Sequence, residues 1–154
     1  MRAGIKRALN AVGAALFALM FLTFLVQIIA RFGFDRPLPW TDELAVILYI
    51  WVILWAAAFM VPARDHVVFD LIYNALGSRG RRVLRMTVAL LIGGLFLTAL
   101  PASLDYVGFM GREGTPVLGW PLSFVYLPFV LMLAVIGLRS LRAVWIELRG
   151  HAVE

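Results

Sequence analysis

Few residues of this chain are of types that could do chemistry, and they lie outside its long apolar stretches. The two histidines are His66 and His151. A haem held inside a membrane by paired imidazoles needs both ligands within the helices, and neither histidine lies there. Ser103 and Ser123 have the hydroxyl of a nucleophile, but a serine needs a base beside it and no histidine falls on their side of the chain. Asp42, Glu43 and Asp105 could gather as an acidic cluster for a cation. No HExxH, phosphate-loop or GxGxxG pattern is present. There are no cysteines, which removes disulfides, thiolate metal sites and cysteine nucleophiles. The expectation is a protein that is not an enzyme, with no catalytic, cofactor-binding or metal-binding residues.

The elements that must carry these residues follow from composition. Of 154 residues, 63% are hydrophobic and only 15% charged, outside the range of a soluble domain. The charges cluster and leave apolar segments long enough to cross a hydrocarbon core of roughly 30 Å. Four transmembrane helices are predicted, at about residues 8–30, 44–63, 83–104 and 121–138, in one all-α membrane domain covering residues 1–154. The first apolar run is longer than a signal-peptide core and reads as a retained span. The net charge of +5 records topology rather than nucleic-acid binding, for which no basic soluble face exists.

Lysine and arginine number 3 in the N-terminal segment, 5 in residues 64–85 and 3 in the C-terminal tail. The two alternate loops hold Arg31, Arg36 and Arg112, only 3. The positive-inside rule then puts both termini in the cytoplasm. Between the second and third spans, residues 67–77 have the pattern of a short amphipathic helix lying in the interface, ending at Gly77. Arg79, Arg81, Arg82 and Arg85 would meet anionic phospholipid headgroups.

No span carries a charge near its middle, where ion-coupled transporters place ionisable groups. The loop at residues 31–43 holds Pro37 and Pro39, with Trp40 at headgroup level and Thr41 placed to cap the second helix. Arg31 and Glu43 either pair across this loop or are solvated separately. Trp51 and Trp55 share a helical face. Gly93 and Gly94, with Ala89 and Thr98, offer small-residue spacing for close packing, and Arg85 can snorkel from the end of its span.

Against this background, Arg31, Trp40–Thr41–Asp42–Glu43–Leu44, Trp51 and His66–Val67–Val68–Phe69–Asp70 together form a pattern. It resembles the small membrane subunit, DctQ-type, of tripartite ATP-independent periplasmic (TRAP) transporters. Ala56, where family members often carry glycine, and the residues PARD before His66 depart from it. The resemblance implies a role through partners. A periplasmic binding protein delivers an organic anion, and a large multi-span subunit holds the substrate and sodium sites and moves as an elevator. The small subunit braces that partner and presents an outer surface to the binding protein.

On that reading Trp51, Trp55 and the Gly93–Gly94 face are candidates for contact with the large subunit. The loops around residues 35–42 and around Arg112 and Trp120 are candidates for touching the binding protein. Arg31, Trp40, Glu43, His66 and Asp70 are structural anchors. Two other classes compete with it: an autonomous four-span transporter acting as a homodimer, and a non-catalytic subunit of a membrane redox complex.

Overall fold

The computed structural model describes residues 3–61 and 77–149. His66, Asp70 and nearly all of the expected interfacial helix fall outside these residues. Helix α1 (Ala3–Ile28) runs into a π-helical turn, Ile29–Gly33. Helix α2 (Pro39–Trp55) likewise ends in a π-helical turn, Ala56–Met60. Helices α3 (Ser78–Met110) and α4 (Leu122–Leu148) complete the described chain. All four are long and apolar enough to cross a membrane, with mean hydropathy between 2.0 and 2.4.

The helices overrun the apolar runs that define the spans, because helix formation continues wherever the backbone can stay hydrogen-bonded. Helix α2 begins at Pro39, five residues before the apolar run. Proline suits the first helical position, where no N–H is required. Thr41 therefore lies inside the first turn and is not the cap. Its hydroxyl donates back to the Leu38 carbonyl at 2.7 Å, and the residue is fully buried. At the other end the helix stops at Met60, and Val61 is extended, as expected of a residue preceding proline. Gly77, expected to end the interfacial helix, is non-helical and flanks the start of α3 with ψ of 171°, while the residues before it lie outside the described ones. Helix α3 passes through Pro101 and continues to Met110.

Helix order in space is α1–α2–α4–α3. Helix α1 packs on α2, α2 on α4, and α4 on α3, while α1 and α3 share no packed interface. The result is an open row, not a closed four-helix bundle. Helices α2 and α4 in the middle of the row hold most of the buried residues, among them Ala45, Ile47, Leu48, Val130 and Leu133. Helices α1 and α3 flank it and leave large apolar side chains outward, including Phe17, Phe21, Leu91 and Leu95.

The α3–α4 pair is the tightest in the row. Gly93 is buried, and a methyl group there would lie 3.2 Å from Ser140 Cβ and 3.5 Å from the Gly137 carbonyl. At Gly137 a methyl would come within 2.9 Å of Leu97 Cγ. Close backbone approach of this kind supplies dispersion contact that apolar lipid does not offset. Gly94, grouped with Gly93 in the sequence pattern, points away from α4 and has open space around its Cα. The two glycines are 100° apart around the helix, so only one faces a given neighbour.

Gly93→Val and Gly137→Val are expected to lower the stability of the purified chain by about 1–3 kcal/mol through overpacking. Gly94→Ala should leave it unchanged or raise it by up to about 1 kcal/mol, the difference in helix propensity. Thermal unfolding in detergent followed by circular dichroism separates the two responses, and equal destabilisation by all three would contradict the assigned packing.

Candidate functional site

Helix–helix polar contacts concentrate at the two ends of the row. At the loop end, where the α1–α2 and α3–α4 connections lie, Glu43 projects from α2 just past its first turn. Its carboxylate accepts hydrogen bonds from the backbone N–H of Val117 at 2.6 Å and of Leu118 at 3.1 Å, and another from the Thr115 hydroxyl. Thr115 is buried and has a second task, its Oγ1 accepting from the Trp120 N–H at 3.0 Å. The loop folds back on itself between Gly114 and Pro121, with Thr115 N–H on the Trp120 carbonyl at 2.8 Å. Gly119 closes the turn at φ of 67°, a left-handed conformation that glycine adopts without strain.

Of the two alternatives for Arg31 and Glu43, pairing across the loop or separate solvation, the structure shows no ion pair, and Glu43 is engaged in this clasp instead. Arg31 lies in the π-helical turn that ends α1 and is exposed, while Glu43 faces the α3–α4 loop. Two consecutive N–H groups hold a carboxylate more directionally than one flexible guanidinium in water does. Trp40, in the first turn of α2, remains 41% exposed, and Arg112 is exposed just past the end of α3. An open cavity of about 470 Å³ at the α1–α2 connection is lined by Ala30, Phe34, Arg36 and Leu38.

Trp51 and Trp55 turn toward different helices of this chain. The Trp51 ring lies 4.9 Å from Phe124 of α4, and Trp120 meets the same phenylalanine edge-on at 5.6 Å. Trp55 donates from Nε1 to the Leu9 carbonyl of α1 at 3.0 Å. The two tryptophans thus tie α2 to both of its neighbours, which leaves less of each ring for another protein.

At the opposite, arginine-rich end, Arg139 of α4 donates to the Ala58 carbonyl at 2.6 Å. Ala58 is in the last turn of its helix, where carbonyls have lost their intrahelical partners. Arg85 is half-exposed and pairs with the buried carboxylate of Glu147 at 2.5 Å, and Arg82 donates to the Glu147 carbonyl. Arg85 therefore reaches across to α4. The sequence pattern held a signal for Glu147. Leu133, Gly137, Ser140, Val144 and Glu147 are all buried on α4 at alternating spacings of four and three, so the face toward α3 continues past the apolar run. For the Glu43 clasp no such signal exists, because it depends on how a distant loop folds. Among the described residues, no group of three or more histidine or acidic side chains could hold a metal ion.

Comparison with known proteins gives consistent matches. The family model described as "Tripartite ATP-independent periplasmic transporters, DctQ component" matches residues 20–150. The putative TRAP transporter small permease protein of Haemophilus influenzae (strain Rd) is 21% identical over 151 residues, covering 96% of this chain and 94% of that protein. The ectoine TRAP transporter small permease protein TeaB of Halomonas elongata is 28% identical over 136 residues, covering 86% and 70%. The sialic acid TRAP transporter permease protein SiaT of Haemophilus influenzae (strain 86-028NP) is 31% identical over 80 residues, which are 52% of this chain and 13% of SiaT.

Glu43→Ala is expected to speed hydrogen exchange at the Val117 and Leu118 amides, while Arg31→Gln leaves both unchanged. An effect of Arg31→Gln as large as that of Glu43→Ala would restore the cross-loop ion pair. At the other end, Arg85→Ala should cost about 1–3 kcal/mol in unfolding by denaturant, since it strips a buried carboxylate of a charged partner.

Proposed function

We propose a bracing role, from the premise that this chain belongs to the DctQ family of TRAP transporter components and is a multi-pass bacterial inner-membrane protein. In this reading it is the small subunit of a sodium-driven, binding-protein-dependent carrier of organic acids. It enlarges the fixed part of the assembly against which a large multi-span subunit moves. Sodium and substrate both bind that large subunit, and both termini of this chain lie in the cytoplasm. The observation that carries the proposal is the open row of helices. A row that leaves one broad side of α1 and of α3 apolar and uncovered is suited to lie along another membrane protein.

The charges fit the same role. Each charged side chain of the described helices lies toward one end of the row, where it ties helices together or meets headgroups, and none lies at mid-membrane depth to escort an ion. Arg112, Trp40 and the Glu43-held loop that leads to Trp120 form the surface offered to a periplasmic binding protein. The clasp keeps that loop in one conformation, which lowers the entropy lost on docking. Relatives carry two different solutes in their names, sialic acid and ectoine, which fits substrate choice lying in the other components.

Reconstitution in vesicles tests this. With the large subunit, the binding protein and an inward sodium gradient, uptake is expected only when this chain is present. This chain alone should give none. Sodium-driven uptake by the chain alone would support the autonomous transporter instead, and full uptake without it would remove the bracing role.

A further inference from the structure

The arginine-rich end of the α3–α4 pair has a surface that the bracing role does not use. Helix α4 has 27 residues, about 40 Å, against a hydrocarbon core of about 30 Å. It continues nine residues beyond Arg139, the residue that caps the end of α2. Over this extension one face packs on α3 through Ser140, Val144 and Glu147. Another face carries Leu138, Leu141, Trp145 and Leu148, at spacings of three, four and three. All four are exposed, Leu138 at 62%, Trp145 at 57% and Leu148 at 63%.

Charge on this extension is sorted. Its one carboxylate, Glu147, is drawn into the α3–α4 interface, where Arg85 neutralises it. Arg142 and Arg149 stay on the surface, and the Arg149 guanidinium lies 4.4 Å from the centre of the Trp145 ring. Arg82 is exposed on the facing helix. Among the described residues, the surface left is apolar and cationic without a compensating anion. An aliphatic stripe ending in a tryptophan flanked by guanidinium groups matches an interface of acyl chains below and phosphates above. A soluble protein partner would not explain why the stripe is continuous with the membrane-embedded face of the same helix, where Phe124, Leu127 and Leu131 are also exposed.

We infer that the Leu138–Leu148 face of α4, with Arg142 and Arg149, is a binding surface for anionic phospholipid in the adjoining leaflet. The acyl chains lie against Leu138, Leu141 and Leu148, and the phosphate is held between the two guanidinium groups beside Trp145.

The test is native mass spectrometry of the full chain in detergent, titrated with phosphatidylglycerol or with phosphatidylcholine of the same acyl chains. Phosphatidylglycerol is expected to bind more tightly, and Arg142→Gln/Arg149→Gln to weaken it by roughly tenfold or more. Lys6→Gln/Arg7→Gln, which removes two exposed cations from α1, should leave binding within about twofold of the unaltered chain. Equal binding of the two lipids overturns the inference and needs no variant. So does equal weakening by both double substitutions, which would mean unspecific charge attraction. A dimer that forms without lipid and is lost in Trp145→Ala would also overturn it, assigning the face to a second copy.

Discussion

Every backbone N–H and C=O in an apolar medium must find a partner, and helix ends are where partners run out. The long-range polar contacts of this protein are largely directed at that deficit. Glu43 takes two N–H groups of the α3–α4 loop. Arg139 covers the Ala58 carbonyl, and Arg82 covers the Glu147 carbonyl near the end of α4. Three charged side chains that a sequence reading would assign to ion pairs or solvent thus serve backbone groups elsewhere in the row, two at helix ends and one in the α3–α4 loop. Each contact also fixes how far one helix slides along the next, since the reach of a glutamate or arginine is short compared with a helix.

Between those ends the packing is graded. Gly93 and Gly137 bring α3 and α4 close along a shared face, whereas α1 is held to α2 by a tryptophan hydrogen bond and by the Trp55 and Met60 side chains packed against the buried Gly13. In lipid, apolar burial gives no net drive for helices to associate, so the closest-packed pair contributes most. The α3–α4 hairpin is accordingly the rigid part of the row. Among the described residues, nothing covers the outward faces of α1 and α3.

Much of the architecture was legible because it depends on composition. Apolar runs announce spans, and Pro39 and Pro62 bracket α2 closely. What was not legible depends on pairing at a distance. The α1–α2–α4–α3 order cannot be read from four apolar runs of similar length, since nothing local says that α3 prefers α4 to α1. The close spacing of Gly93 and Gly94 suggested one face, and only the partner's position distinguishes the packed glycine from the open one. Glu43 shows the same limit. Its nearest opposite charge in sequence is Arg36, and Arg31 also lies close, yet it binds neutral N–H groups more than seventy positions away. Thr41 was misassigned for a local reason. A threonine before two acids looks like a cap, but Pro39 can begin a helix two residues earlier.

The distribution of charge connects this architecture to a passive role. Moving an ion or a carboxylate through a membrane requires groups at mid-depth that replace water during passage. Here the charged residues mark the two ends of the row and hold helices in register, and the middle is tryptophan, phenylalanine, glycine and aliphatic side chains. Such an interior resists deformation because it has no alternative polar pairing to switch to. The proposed bracing role asks for such an interior, since the stationary part of a carrier has no ion to pass through it.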